Sequence, residues 1–238
     1  MELIEDWMIL YVMAFTSFSL CILGNVLRSK ASLISLILRE SSATLLTLYS
    51  LFIASSPLGL IRGTLALLTA LIAVFVIPYT NGYERHKYPG RNLSIIVDMF
   101  VLSIYMVFVS ETLLTFIMFW LFAEIVGFFT IVFEVERRTL IAGLRYLIVS
   151  MVPADLSLLL LLALTGLGPS MNIPLTSLVI DLSSPVLTVI AMLGFMAKAA
   201  VAPLHFWLPD AYTEASTQGS MVLSAILSKF GAFGIFLL

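Results

Sequence analysis

Three ionisable residues stand inside long apolar runs of this sequence. Glu124 lies in Phe119-Trp-Leu-Phe-Ala-Glu-Ile-Val-Gly-Phe128, Lys198 in Gly194-Phe-Met-Ala-Lys-Ala-Ala-Val-Ala-Pro203, and Lys229 is followed by Phe230-Gly-Ala-Phe-Gly234. A charge placed in hydrocarbon costs at least a few kcal/mol, so such residues mark ion or proton paths far more often than they decorate a span. The plainer readings are a structural ion pair for Glu124 and, for Lys198, a side chain that snorkels to the membrane surface. Lys229, deeper in its run, is harder to explain that way. Asp155, after Pro153 in another apolar run, is either a proton-path residue or a hydrogen-bonded contact between helices.

A lysine in a low-dielectric site loses its proton more readily, and a nearby carboxylate makes it hold on. Two unit charges about 7 Å apart at an effective dielectric near 20 interact by about 2.4 kcal/mol. If the helices bearing Glu124 and Lys198 are neighbours, one residue can therefore load and unload the other. His205, in Pro203-Leu-His-Phe-Trp-Leu-Pro-Asp210, is suited to relaying protons near neutral pH or to packing on Trp207. Pro203 cannot donate to the carbonyl of Ala199, so the helix carrying Lys198 breaks about one turn after the lysine. Backbone groups freed at membrane depth need protein or water around them. The two histidines and the single cysteine, Cys21, form no metal-ligand pattern, and no phosphate-binding glycine loop or nucleophile elbow is present.

The elements that position these residues follow from composition. Of 238 residues, 61% are hydrophobic and 11% charged, which defines a polytopic membrane protein. A net charge of -2 without a basic run excludes nucleic acid as a partner. The acidic start, Met1 to Asp6, does not resemble a cleaved signal, so the first apolar run is expected to stay as a span. About eight transmembrane helices are predicted: 7–27, a short 41–55 or a longer helix from 31 carrying Arg39-Glu40, 58–77, 92–109, 112–133, 139–164, 185–201 and 216–238. Pro57 suits a helical first turn, residues 79–91 read as a polar loop, and 165–184 as a loop with Asp181 as its only charge. Asp98 and Arg145 are expected near span ends, in solvated or interfacial positions. With eight spans, Arg28, Lys30, Arg39, Arg85, Lys87, Arg91, Arg137 and Arg138 fall on one side, which places both termini outside and residues 204–215 in a cytoplasmic turn of a cell or inner membrane.

The segment from Lys198 through Ala202-Pro-Leu-His-Phe-Trp-Leu-Pro-Asp-Ala-Tyr-Thr-Glu-Ala-Ser-Thr-Gln-Gly-Ser220 to Lys229 closely resembles the core motif of the antiporter-like membrane subunits. These occur in respiratory complex I, in energy-converting hydrogenases and sulfur reductases, and in multisubunit sodium/proton antiporters. Phe119 to Glu124 is similar to the family's fifth-helix glutamate segment, and Leu58 to Tyr83 to its third helix. The resemblance implies an all-α bundle in which 1–91 form three helices and a basic loop. Residues 92–238 then form the first of two inverted repeats, helices four to eight, with a broken seventh helix. It makes Glu124, Lys198 and Lys229 an ion track coupled to redox chemistry elsewhere or to sodium exchange. Ser216 stands where the family usually has proline, which is expected to relax the start of the eighth helix, and Asp155 matches no standard family carboxylate. The second repeat is expected from another chain, since this one stops after the first.

The leading expectation is a proton- or sodium/proton-translocating subunit of a redox-driven membrane complex. This chain is expected to carry no cofactor, with iron-sulfur clusters or a nickel-iron site in peripheral redox subunits, and with other membrane subunits and the bilayer as its partners. The competing readings are a multisubunit antiporter without a redox partner and a structural subunit that conducts nothing.

Overall fold

The computed structural model describes residues 2–28, 32–54, 59–164, 173–175 and 184–237, and these residues form helices joined by short turns. By contacts they fall into two compact units, Met1–Val109 and Ser110–Leu238. The readings of Pro57, Lys30, Asp181 and most of the 165–184 loop lie outside the described residues.

The first unit contains α1 (Glu2–Leu27), α2 (Ser32–Ala54), α3 (Leu60–Lys87) and α4 (Leu93–Val109). The open choice at the second span resolves to the longer helix, because α2 carries Arg39 and Glu40 within it. α3 continues ten residues beyond the expected end at Ile77, so most of the supposed loop 79–91 is helical. Two interactions explain the extension. Glu84 is buried and accepts hydrogen bonds from the Leu93 and Ser94 backbone N–H groups, both at 2.9 Å, capping the start of α4. It also pairs with Arg28 at 2.6 Å. At the other end, Arg62 donates to the carbonyls of Phe108 and Val109 at 3.2 and 3.0 Å, covering the end of α4.

Asp98 is not solvated. It is 2% exposed and takes Arg39 Nε at 2.5 Å and Nη2 at 2.8 Å, with Asn25 donating at 2.9 Å. Arg39 is therefore a buried partner rather than a loop charge. Gly24 permits this, because a Cβ there would strike the Arg39 side chain.

The second unit contains α5 (Leu113–Ile131), α6 (Arg137–Arg145), a π-helical segment (Tyr146–Met151), α7 (Val152–Leu164), α8 (Pro185–Lys198), α9 (Trp207–Glu214), α10 (Thr217–Val222), a second π segment (Leu223–Leu227) and α11 (Ser228–Leu237). The first π segment lies just before Pro153, which has no N–H to give to Val149, so the ladder changes register there. Ser216 stands immediately before α10. Its hydroxyl accepts from the Gly219 N–H at 3.1 Å and acts as an N-cap.

Among the described residues, four helices are long and apolar enough to cross a membrane alone: Leu60–Lys87, Leu113–Ile131, Arg137–Ala163 and Thr217–Leu237. α8, with 14 residues, rises only about 21 Å against a hydrocarbon core of about 30 Å. α9 follows the break, with Asp210 paired to Arg145 of α6, so the 204–215 segment expected as a turn contains a two-turn helix.

Close approach at two glycines holds this break. A Cβ on Gly194 would enter the Pro153 carbonyl, and one on Gly231 would enter the backbone of Phe195 and Ala199. Gly194→Val is expected to lower the stability of the purified chain by at least about 2 kcal/mol in thermal unfolding. Gly82→Ala, in a place with nothing within 4 Å, should be neutral or slightly stabilising.

Candidate functional site

Lys198 is the last residue of α8, and the helix ends immediately after it. Ala200 takes a left-handed conformation at φ 54°, and the Val201 N–H reaches back to the Met196 carbonyl at 3.0 Å, a Schellman-type closure. The break therefore begins three residues ahead of Pro203. The Trp207 Nε1–H donates to the Ala197 carbonyl at 2.9 Å, which also accepts from the Ala200 N–H at 3.2 Å, so the first residue of α9 is tied to the last turn of α8. A lysine in a final helical turn sits at the negative end of the helix dipole, which favours its ammonium form.

The ammonium is enclosed by protein. Lys198 and Glu124 are both 0% exposed, and Nζ lies 2.6 Å from Glu124 Oε1. Nζ also donates to the Tyr146 hydroxyl at 3.0 Å and lies 4.7 Å from that ring's centroid. Trp207 also packs on Tyr146, with ring centroids 5.4 Å apart. The snorkelling reading of Lys198 does not fit this burial. Trp120, one turn before Glu124 on the same helix, sits among Phe116, Phe195 and Phe230 at ring-centroid distances of 5.4, 5.7 and 5.1 Å. Neither Glu124 oxygen accepts a well-directed hydrogen bond among the described residues, so the charge contact with Lys198 carries most of its compensation.

Asp155 lies near enough to Glu124 to interact with it electrostatically. Its Oδ1 is buried without a hydrogen-bond partner among the described residues, as are the Ser150 hydroxyl and both amide atoms of Gln218 in the same unit. Asp155 thus adds a second carboxylate beside Glu124, while the Lys198 ammonium is paired with Glu124.

The other sequence candidates stand apart from this pair. Lys229 is half-buried and donates to the Ser224 carbonyl and the Ser228 hydroxyl, both at 3.3 Å. It lies two residues before Gly231, which touches the backbone at the end of α8, so it belongs to the helix beside the break but not to the ion pair. His205 is exposed in the break, outside the buried Glu124–Lys198 pair. Arg145, half-exposed, pairs with Asp210. Among the described residues no group of three or more His, Cys, Asp or Glu is placed to hold a metal ion.

Tyr146 was missed by sequence reasoning, since a tyrosine in an apolar run is unremarkable. Its place on the helix face could not be read from spacing, because Tyr146–Met151 is π-helical. The Arg39–Asp98 pair was missed for the opposite reason, because each charge looked like a span-end residue.

Residues 110–238 match the family described as NADH:quinone oxidoreductase/Mrp antiporter, TM, and the chain belongs to that family. It is an antiporter-like subunit of a multi-pass membrane protein class. Among its relatives, NADH-ubiquinone oxidoreductase chain 4 of Artemia franciscana is 30% identical over 180 residues, which cover 73% of this chain and 44% of that one. Hydrogenase-4 component B of Escherichia coli is 26% identical over 177 residues, covering 72% of this chain and 26% of that protein. The solved membrane-bound sulfane sulfur reductase, an archaeal respiratory membrane complex, contains a chain that superposes with a TM-score of 0.73 at 13% identity. The match covers 94% of this chain and 52% of that one, and shows a shared fold. The chain thus spans roughly a quarter to a half of the length of these relatives.

Removing one partner of a buried ion pair leaves an uncompensated charge and costs about 3–5 kcal/mol. Lys198→Met is therefore expected to destabilise the chain by about that much. Lys198→Met combined with Glu124→Gln should recover much of the loss in the same unfolding assay.

Proposed function

We propose that this chain is a proton-translocating, antiporter-like subunit of a redox-driven membrane complex. The observation that carries the reading is the fully buried Glu124–Lys198 pair, 2.6 Å apart, at the point where a spanning helix breaks. An ion pair without good hydrogen bonds for its carboxylate is poor as a structural device, because desolvation offsets most of its attraction. Its value lies in being switchable. When Glu124 is drawn away or protonated, Lys198 loses the charge that holds its proton, and the proton can pass on. Lys229 is the next station on the adjoining helix, His205 supplies a relay in the break, and Asp155 offers an alternative counter-charge to the same cluster.

Lysines suit protons better than sodium, since an ammonium repels a metal cation. A subunit of a multisubunit sodium/proton antiporter and a non-conducting structural subunit are the alternative readings. In the proposed complex, residues 92–238 act as the first repeat, among other membrane subunits. Iron-sulfur or nickel-iron centres belong to peripheral redox partners. The basic residues Arg28, Arg85, Lys87, Arg91, Arg137 and Arg138 face the cytoplasm, and both termini lie outside.

The test uses the assembled complex in sealed vesicles, with ion pumping and electron transfer measured separately. Glu124→Gln and Lys198→Met should each reduce pumping to a small fraction while the complex still assembles. Lys229→Met should slow it as well. Unchanged pumping in intact complexes bearing Glu124→Gln would show that the chain is structural. Pumping that needs sodium and no electron donor would favour the antiporter reading.

A further inference from the structure

The first unit holds a polar site that the Glu124, Lys198 and Lys229 track does not use. The end of α1, the start of α2, the end of α3 and the start of α4 surround a cleft of about 790 Å³ whose lining includes Arg28, Glu84, Arg85, Tyr88 and Arg91. Three arginines against one glutamate leave its wall with a net charge of +2. Glu84 is fully engaged by Arg28, the Leu93 and Ser94 N–H groups and the Ser94 hydroxyl, so it offers nothing to a ligand. Arg28 is the partner of that carboxylate, whereas Arg85 and Arg91 stand exposed on the rim.

The position of the cleft selects the kind of anion. α3 has 28 residues and rises about 42 Å, more than the hydrocarbon core of about 30 Å, so its last turns reach headgroup level. Tyr79 stacks on Tyr83 there at 5.7 Å, and Lys87 lies 5.7 and 5.1 Å from the Tyr83 and Tyr88 rings, an arrangement typical of a membrane interface. The same cleft wall also contains Val26, 66% exposed, and Ile95, 36% exposed, an apolar surface next to the arginines. A soluble anion has no use for that surface, but a molecule with a charged head and acyl chains fits both parts.

We infer that this cleft binds an anionic phospholipid, with Arg85 and Arg91 holding the phosphodiester and Val26 and Ile95 contacting the first acyl carbons. Arginine pairs well with phosphate through its planar fork, and basic pockets between transmembrane helices are suited to anionic headgroups. A lipid held here ties together the ends of four helices directly above the buried Arg39–Asp98 pair.

The experiment is native mass spectrometry of the full chain in detergent with equal amounts of phosphatidylglycerol and phosphatidylcholine. The chain should retain phosphatidylglycerol with about a tenfold preference. Arg85→Gln with Arg91→Gln should bring that preference close to one, whereas Arg137→Gln with Arg138→Gln should leave it intact. Millimolar inorganic phosphate should not displace the lipid. Equal retention of both lipids by the parent chain would overturn the inference, whatever the variants do. So would a preference unaffected by the Arg85 and Arg91 substitutions. Displacement by inorganic phosphate would reassign the cleft to a soluble anion and overturn the lipid reading.

Discussion

An ammonium and a carboxylate placed in hydrocarbon must find each other or neutralise, and the second unit is arranged around that requirement. Lys198 ends its helix so that the carbonyl end faces its charge, and the chain then stops being helical. Small residues let the surrounding helices close on the break: Gly194 accepts the Pro153 carbonyl and Gly231 the backbone at Phe195 and Ala199. Large rings fill what remains, with Trp120 among its phenylalanines and Trp207 packed on Tyr146. The resulting site is buried enough to make each charge depend strongly on the other, yet it leaves several polar atoms without partners among the described residues. Such atoms are where internal water is held in membrane proteins.

The first unit meets the same electrostatic cost with different chemistry. Arg39 grips Asp98 through two nitrogens, and Asn25 adds a third donor. An arginine keeps its proton under all ordinary conditions, and a bidentate geometry resists rotation. That pair therefore works as a fixed peg between α2 and α4. A lysine presents a single rotatable ammonium, which holds Glu124 through one charge contact rather than a two-pronged grip.

The helices, and the charges of Glu124 and Lys198 buried within them, were legible because each rests on a local cost. Apolar runs of about twenty residues declare themselves, and so does a lone charge inside one. Pro203 announced the break, although the chain leaves its helix before reaching it. What the sequence did not disclose lies between elements. Residues 79–87 are polar enough to pass for a loop, and only the capping of α4 by Glu84 shows why they stay helical. Lys229 and His205 share a motif with Lys198 but not its ion pair, since nearness along a chain does not become contact across a broken helix. Tyr146 acquires its role entirely from the helix that packs against it.

Both lysines sit beside a stretch of π-helix. Tyr146, whose hydroxyl receives Lys198, begins one, and Ser224, whose carbonyl receives Lys229, lies in the other. A π segment is one extra residue wound into an otherwise regular helix. If that surplus moves along by a turn, the residues it passes swing by about 100° around the axis while both helix ends stay where they are. Each lysine thus faces a part of the backbone that can be re-phased like a dial, changing which groups point inward without any helix sliding, tilting or lengthening within the bilayer.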